Sequence, residues 1–241
     1  MTNAIEIKNL VKEFDGFRAV DDLSLSIEEG KITGLLGPNG AGKTTTIQML
    51  LDIITPTSGS ISVFGKELHA HREEILDITN FSSPYVVLPT NLTVIENLLT
   101  FARLYGVKNP RKKIDELADF FEIRHLLPKL TGSLSTGQLT RVNLTKAFVN
   151  DPKLLLLDEA TASLDPDIAD KTRKVLKRMQ LERGVTILYT SHNMAEIEEL
   201  CDRVIFMNKG KIREEGTVAE LVAKFGHKDL NDVFIEIARE D

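Results

Sequence analysis

Cysteine is nearly absent from this chain of 241 residues, since Cys201 stands alone. A single cysteine excludes an internal disulfide framework and is typical of a reducing compartment. No apolar run approaches the ~20 residues that span a bilayer, and the N-terminus has no basic region followed by an apolar stretch. We therefore expect no signal peptide and a cytoplasmic protein, which would serve a membrane process only through another, membrane-spanning polypeptide.

The charge balance excludes one class of function. The net charge is −6 and the sequence pI is about 5.5. Because a broad nucleic-acid-binding surface needs an excess of basic residues, we expect no nucleic-acid partner. The basic run at 111–113 is typical of a solvated helix start.

Apolar patterning indicates the fold class. Two N-terminal segments, 5–8 and 23–27, alternate apolar and polar residues as half-buried strands do. Further on, apolar strands at 154–157, 185–190 and 204–207 alternate with helical segments. Such alternation predicts an α/β protein with a mostly parallel sheet and helices on its faces, preceded here by antiparallel strands.

The stretch from about 90 to 150 has the spacing of helices rather than strands, with Asn91 or Thr93 as the first cap. The apolar residues at this spacing include Val94, Leu98, Phe101 and Leu104. We therefore predict three units: a domain over 1–216, a helical subdomain inserted in it at about 88–150, and a short helical appendage over 217–241.

Residues 37–44 read GPNGAGKT and match the phosphate-loop pattern G-x-x-x-x-G-K-[ST]. Its glycines let backbone N–H groups approach a polyphosphate, and the helix that follows directs its positive end at the anion. Lys43 supplies a charge to the terminal phosphates, and the Thr44 hydroxyl is placed to bind Mg²⁺. The residues expected to bind nucleotide here are Gly37, Pro38, Asn39, Gly40, Ala41, Gly42, Lys43, Thr44 and Thr45.

An apolar strand ends in two adjacent carboxylates within LLLLDEATASLDP at 154–166. Asp158 emerges at the carboxyl end of the strand, the edge where open α/β sheets bind ligands, and can hold Mg²⁺ opposite Thr44. Neighbouring strand residues point to opposite sides, so Glu159 is the candidate to orient and polarise an attacking water. The alternative is that the two acids only end the strand and have no catalytic role. The phosphate loop in the same chain makes this alternative less favoured.

A third string, LSTGQ at 134–138, lies at the start of a helix predicted over 138–149, a second anion-attracting N-terminus. With the phosphate loop, the two carboxylates and TSH at 190–192, it resembles the nucleotide-binding subunit of ABC transporters over roughly residues 4–217. The resemblance implies a RecA-like P-loop NTPase core with an inserted helical subdomain. It also implies a head-to-tail dimer in which each of two ATP molecules lies between the phosphate loop of one copy and LSTGQ of the other.

The resemblance also assigns roles to LSTGQ. Ser135 and Gly137 would contact the γ-phosphate across the dimer interface, with Thr136 and Gln138 beside them as nucleotide-binding residues. Thr136 departs from the family, which usually has glycine there. Its side chain either alters the grip on phosphate or points away from it.

Three further assignments follow from the resemblance. His192, which ends a strand, would bond the γ-phosphate and distinguish ATP from ADP. Phe14 would stack on adenine, with Phe17 as a competitor and core packing as the alternative role of Phe14. Residues 163–165 resemble the loop that links the two sites of the dimer.

A second departure is the absence of a glutamine that the family places between the core and the helical insertion, where it binds Mg²⁺ and senses the membrane subunit. The corresponding stretch, 80–85, contains none. We hypothesise that Ser83 offers a hydroxyl instead or that water substitutes, and that metal and insertion are more weakly coupled; unchanged activity and Mg²⁺ dependence in Ser83→Ala would exclude Ser83.

Residues 81–92 are apolar for a loop, which marks either a docking site for a cytoplasmic helix of the membrane subunit or packing beneath the insertion. The sequence thus predicts an ATPase that binds ATP and Mg²⁺, pairs with a second copy or a paralogue, and drives transport by an integral membrane permease from the inner face of the membrane.

Export is favoured by analogy with the ATPases of bacterial drug, polysaccharide and sodium exporters, because the chain is short and ends in a similar tail at 228–234. The main alternative is a non-transport ABC ATPase, such as the type that powers iron–sulfur cluster assembly. A nucleotide-binding regulator without turnover is disfavoured by Glu159. The cargo lies beyond the sequence, because another polypeptide carries the cargo pathway.

Overall fold

The structure, a computed structural model, describes residues 2–83, 87–161 and 164–239. Its strands form two sheets, one of six strands and one of four. In chain order the strands are β1 (Asn3–Phe14), β2 (Phe17–Glu28), β3 (Ile32–Leu36), β4 (Ser58–Val63), β5 (Lys66–Glu67), β6 (Thr79–Ser82), β7 (Leu154–Asp158), β8 (Thr186–Thr190), β9 (Arg203–Asn208) and β10 (Lys211–Gly216).

The larger sheet has the strand order β10-β9-β3-β8-β7-β6. Every pairing in it is parallel except that of β10 with β9. Strands β3, β7 and β8 are buried along their whole length, so they lack the polar alternation of half-buried strands, and β7 begins with four consecutive leucines. The predicted mostly parallel sheet is confirmed.

The smaller sheet is antiparallel, in the order β2-β1-β4-β5. On its inner face lie Ile5, Ile7, Leu23, Leu25 and Ile27, each at most 9% exposed. The alternation of apolar and polar residues near the N-terminus therefore does mark half-buried strands. Side chains of both sheets contribute to one core, since Ile5 and Leu23 share a cluster with Leu154 and Leu188.

The helices cover both faces of the larger sheet and form the inserted region before β7. Two short 3₁₀ turns, Arg124–Leu126 and Thr131–Ser133, precede the fifth helix. The helices are α1 (Lys43–Leu50), α2 (Arg72–Asp77), α3 (Val94–Leu104), α4 (Pro110–Phe120), α5 (Thr136–Ala147), α6 (Pro166–Arg183), α7 (Met194–Leu200), α8 (Val218–Phe225) and α9 (Leu230–Arg239).

The structure selects between the two predicted caps of α3, since Thr93 rather than Asn91 caps this helix. Leu104, the last of its four apolar positions named above, is 75% exposed. Helix α5 begins at Thr136, two residues before the predicted start, because Ser135 caps it. The predicted domain limits at 88, 150 and 216 stay predictions.

The tail helices pack onto the rest of the molecule. Helix α9 contacts α7 and β9, and its buried Leu230, Val233 and Ile237 belong to the same hydrophobic cluster as Leu155 and Tyr189 of the sheet. Within the described part of the chain, we find no helix with the length and apolar character of a bilayer span.

Candidate functional site

The phosphate loop connects the buried strand β3 to α1. Helix α1 begins after Gly42, which has a φ of 100° and provides no side-chain cap. The first N–H groups of α1 thus lack a side-chain acceptor, as an anion site at a helix N-terminus requires. The Ala41 carbonyl accepts a hydrogen bond from Gly210 N at 3.1 Å, which ties the loop to the β9–β10 turn.

Two loop glycines are required by the protein's own backbone. A Cβ on Gly37, whose φ is 151°, would lie 2.1 Å from the Met207 carbonyl oxygen. A Cβ on Gly42 would lie 2.5 Å from the Ala19 carbonyl oxygen. Gly40, at φ 81°, faces open space. Close packing against β2 and β9 therefore accounts for Gly37 and Gly42 before any phosphate is considered.

The Lys43 side chain folds back over this loop. Its Nζ donates to the carbonyl oxygens of Gly37 at 2.7 Å and Pro38 at 3.0 Å, and the residue is 8% exposed. Burial lowers the pKa of Lys43, while the nearby carboxylates of Glu159 and Asp158 favour its charged form. The ammonium group is thus partly desolvated and already turned toward the loop.

Asp158 lies at the carboxyl end of β7, opposite Thr190 at the end of β8. One carboxylate oxygen, Oδ1, accepts a hydrogen bond of 2.6 Å from the Thr190 hydroxyl. The other, Oδ2, lies 3.4 Å from Thr44 Oγ1. The two predicted metal ligands are therefore side by side, with the carboxylate oriented by Thr190.

Glu159 and His192 meet beside this pair. His192 Nε2 lies 2.7 Å from Glu159 Oε1, and both side chains are partly exposed. Glu159 has a left-handed backbone with a φ of 51°, and its N–H donates to the Thr190 carbonyl and hydroxyl, each at 3.1 Å. Thr190 therefore holds both acidic residues, Asp158 through its side chain and Glu159 through its backbone.

Ser135 and Gln138 form a capping box at the start of α5. Ser135 Oγ accepts from Gln138 N at 3.3 Å, and Gln138 Oε1 accepts from Ser135 N at 3.2 Å. Ser135 and Thr136 are exposed, and a Cβ built on Gly137 meets only Leu164 within 4 Å. The LSTGQ segment is thus an open helix N-terminus at the surface.

The two candidates for adenine stacking lie at the β1–β2 hairpin. Phe14 pairs with Phe17 in register, and they are 42% and 65% exposed. Core packing of Phe14 is therefore wrong, while the stacking role of either ring stays a prediction. Lys12 Nζ lies 4.8 Å from the Phe14 ring centroid, a cation–π contact that covers part of this ring.

The segment that lacks the glutamine follows β6. Ser82 pairs with Leu157, so Ser83 follows at the same sheet edge as Asp158. Ser83 is 4% exposed and lines a cavity of about 30 Å³ with Thr136 and Ala160. Its role as a metal ligand stays a prediction.

The apolar segment 81–92 is only partly buried. Leu88 is 1% exposed and packs in the core, whereas Val87 is 79% exposed. Residues 84–86 lie outside the described residues, and so does Ser163 of the segment predicted to link the two sites.

Sequence reasoning missed Thr190, which is fully buried. A threonine in a strand is ordinary, and only the register of β8 against β7 shows that its hydroxyl meets Asp158. The one local signal is its position two residues before His192.

Comparison with known proteins identifies the family. Residues 20–162 match the model described as "ABC transporter". The bacitracin transport ATP-binding protein BcrA of Bacillus licheniformis is 38% identical over 215 residues, 89% of this chain and 70% of BcrA. This chain is an ABC transporter ATP-binding protein. The daunorubicin/doxorubicin resistance ATP-binding protein DrrA of Streptomyces peucetius is 34% identical over 95% of this chain and 70% of DrrA.

A solved ABC transporter ATP-binding subunit has the same fold, with a TM-score of 0.88 and 27% identity over 98% of this chain and 100% of that one. Membership in the ABC family makes this chain an ATPase, with ATP as its substrate. The predicted RecA-like core with its helical insertion is confirmed.

The site also fits a magnesium ion. Among the described residues no cluster of three or more His, Cys, Asp or Glu side chains forms a metal cage. Asp158 and Thr44 instead offer one carboxylate and one hydroxyl in adjacent positions. Mg²⁺ in nucleotide sites is commonly bound by one or two such oxygens together with substrate phosphates and water.

Proposed function

We propose that this ABC ATPase drives export by a separate membrane permease, working as a head-to-tail dimer that encloses two ATP molecules. The observation that carries the proposal is the contact of 2.7 Å between Glu159 and His192, next to the Asp158–Thr44 pair and the phosphate loop. These groups supply what phosphoryl transfer to water requires: phosphate binding, charge neutralisation and an oriented base.

In the proposed reaction, the backbone of the phosphate loop and Lys43 bind the β- and γ-phosphates. Thr44 and Asp158 would hold Mg²⁺, which neutralises phosphate charge when bound. Glu159 orients the attacking water and draws its proton, and His192 hydrogen-bonds the γ-phosphate. Because His192 contacts Glu159 directly, loss of the γ-phosphate would alter the surroundings of the base as well.

The dimer is supported by the LSTGQ segment. Ser135, Thr136, Gly137 and Gln138 present an N-terminus with no acidic side chain in its first turn. Such a surface favours an anion. In the head-to-tail arrangement this anion is the γ-phosphate bound to the other copy or to a paralogue.

Transport out of the cell is supported by the name of a relative, the drug-resistance protein DrrA. A docking site for the permease is supported by the exposed Val87 in the apolar segment 81–92. We propose that this segment docks a cytoplasmic helix of the permease, so that the ATPase lies at the inner face of the membrane. The iron–sulfur assembly alternative is not favoured, because both relatives named above are transport or resistance proteins.

The test uses Glu159→Gln, which keeps the shape of the side chain but removes the base. We expect hydrolysis to fall by about 10²–10³-fold while ATP binding persists, since general-base catalysis is commonly worth that much. With Mg·ATP the variant should sediment as a stable dimer, whereas with Mg·ADP it should be a monomer. The matched control is Glu182→Gln, an exposed residue of α6.

Two results would contradict the proposal. Unchanged hydrolysis in Glu159→Gln removes this residue from its role, and a monomer at high concentration with Mg·ATP, with and without the permease, removes the dimer. Direction is tested separately in inside-out vesicles that contain the permease: export predicts ATP-dependent uptake from a panel of cytotoxic compounds, and import predicts none.

A further inference from the structure

Glu196 is a buried carboxylate outside the phosphate site. It lies in α7 and is 6% exposed. Its Oε2 lies within hydrogen-bond distance of three hydroxyls, those of Thr161 at 2.7 Å, Tyr189 at 3.1 Å and Ser191 at 3.1 Å. Burying a carboxylate costs several kcal/mol unless it is well bonded. A hydrophobic residue would fill this position without the free-energy cost of desolvating a charge. A role other than packing must therefore explain the carboxylate.

The three hydroxyls come from the two chain segments that carry the proposed catalytic pair. Thr161 follows Glu159 by two residues, and Ser191 immediately precedes His192. Tyr189 lies between them, with its hydroxyl 2.6 Å from Thr161 Oγ1. One carboxylate oxygen therefore joins the end of β7 to the end of β8, just beyond the backbone pairing of the two strands.

The second oxygen of Glu196 has a different task. Its Oε1 lies 3.4 Å from Arg173 Nη1 of α6, and the Arg173 Nε donates at 2.7 Å to Glu199. Arg173 thus compensates the buried charge of Glu196, and it also bonds Glu199, an exposed acid that lies on α7 as Glu196 does. The ion pair with Arg173 is made by Oε1 and the hydroxyl contacts by Oε2. Substitutions of different partners can therefore remove one kind of contact and keep the other.

An open cavity of about 840 Å³ adjoins this network. Glu159, His192, Thr161, Arg173 and Glu196 all line it. The segments that hold the catalytic pair therefore have free space on one side. Hydrogen bonds to Thr190 hold the backbone of Glu159. The Glu196 contacts are a second link, made to residues that flank the Glu159–His192 pair with its 2.7 Å separation.

We propose that Glu196 is a positioning residue for ATP hydrolysis. Its carboxylate fixes the segment after Glu159 relative to the segment before His192 through Thr161, Tyr189 and Ser191. The inference rests on the proposed roles of Glu159 and His192. Misplacing a catalytic group by about 1 Å can cost up to about 10²-fold in rate, so a link of this kind affects turnover more than binding.

The main test compares Glu196→Ala with Glu199→Ala in the full chain. Both remove a partner of Arg173, but only the first removes the acceptor of the three hydroxyls. For Glu196→Ala we expect kcat to fall about tenfold or more, with the Kd for Mg·ATP within about twofold of the wild type. For Glu199→Ala we expect both quantities to stay near wild-type values.

A second pair remains informative if Glu196→Ala fails to fold. Thr161→Val keeps the shape of the side chain and loses the hydroxyl, whereas Thr161→Ser retains the hydroxyl. We expect Thr161→Val to lower kcat several-fold at unchanged ATP affinity, and Thr161→Ser to restore most of it. A purely structural role would lower the melting temperature of the valine variant without this separation of kcat from affinity.

The outcomes distinguish the inference from the proposed function. If Glu159→Gln and His192→Ala lose activity while Glu196→Ala and Thr161→Val turn over like Glu199→Ala, only the positioning role is wrong. If ATP affinity falls as much as kcat, Glu196 supports the fold and the inference is also wrong. If His192→Ala and Glu159→Gln are fully active, the proposed catalytic roles are wrong, and the positioning role that rests on them is wrong as well.

Discussion

The phosphate loop and the LSTGQ segment are both helix N-termini, yet they are built in opposite ways. At the phosphate loop, Lys43 and Asp158 are buried, and Thr190 and Gly210 bond the surrounding segments in place. At LSTGQ, Ser135 is exposed, and its side chain takes part in the capping box with Gln138. In the proposed dimer, the first half-site comes from one chain, and the second is a surface that binds the phosphate held by the other copy.

The capping boxes sharpen this contrast. Thr93 with Glu96 and Thr217 with Glu220 use the same geometry as Ser135 with Gln138. Both of the other boxes have a glutamate as the reciprocal partner, and its charge favours the helix dipole. Only the box proposed to face a phosphate has a neutral glutamine, among the helices that the structure describes. A carboxylate there would repel the ligand.

Two buried lysines, Lys43 in the phosphate loop and Lys146 near the far end of α5 from LSTGQ, also differ in their surroundings. Burial lowers the pKa of both Lys43 and Lys146, which lies near the end of α5. For Lys43, Glu159 and Asp158 oppose the effect. For Lys146 burial acts alone and brings the pKa to about 8, although Nζ donates to the Phe81 carbonyl at 3.3 Å and lies 5.3 Å from the Phe101 ring centroid.

The largest effect expected from the contrast between the phosphate loop and LSTGQ is that of Lys43→Ala. Because Lys43 makes charge-assisted contacts to phosphate in the proposed complex, we expect ATP affinity to fall about 100-fold or more by isothermal titration. The control is Lys31→Ala, an exposed lysine just before the opposite end of β3. ATP affinity within a few-fold of the wild type would contradict a self-sufficient phosphate half-site.

A smaller effect is expected from Gln138→Glu, which gives α5 the same type of box as α3 and α8. The cap should persist, so thermal stability should be unchanged or slightly higher. Mg·ATP-driven dimerisation of a Glu159→Gln background should weaken on the order of tenfold, because a carboxylate is added beside the triphosphate. This loss should diminish with added salt.

The matched control for that experiment is the reverse exchange, Glu220→Gln in the cap of α8. It should leave dimerisation unchanged and lower only the stability of the tail helix. Equal dimerisation of Gln138→Glu and its parent would mean that no phosphate approaches this N-terminus.

The third effect concerns stability alone. The pKa of Lys146 is about 8 in the folded chain and 10.5 is its ordinary value, so the unfolded chain binds more protons between these pH values. The free energy of unfolding should therefore rise with pH across this window, as the cost of burying the charge is relieved. Relative to Lys146→Met, the wild type should gain on the order of 3 kcal/mol.

Urea unfolding of both proteins at pH values from about 7 to 11 measures this difference. Lys43 contributes a change of the same sign, but it is common to both proteins and cancels. Parallel pH profiles would show that burial in the folded chain does not lower the pKa of Lys146.

The sequence predicted what depends on local patterns. Strand β7 can be predicted because four leucines precede Asp158. The phosphate loop can be predicted because phosphate binding requires particular residues at fixed positions. Helical spacing predicts that α5 starts at residue 138, two residues late, because spacing alone does not reveal the cap at Ser135. Periodicity places Leu104 among the apolar residues of α3 but does not show where the helix leaves the core, and this side chain is 75% exposed.

Contacts between distant segments were beyond sequence reasoning. Thr190 meets Asp158 through strand register, and Glu196 contacts three hydroxyls from two chain segments, those that follow β7 and end β8. Position 37 requires glycine because a Cβ there would clash with the Met207 carbonyl, 170 residues away in sequence. Such roles depend on which strands are neighbours, and strand order does not follow chain order here.

The bond between Ala41 and Gly210 has a consequence for synthesis. Strand β3, which leads into the phosphate loop, is flanked only by β8 and β9, and the turn that braces the loop comes after both. A growing polypeptide on the ribosome therefore carries its nucleotide-binding motif long before it has the neighbours that shape it. Newly made chains therefore lack the contact that braces the phosphate loop until Gly210 has emerged, well after translation of the motif itself.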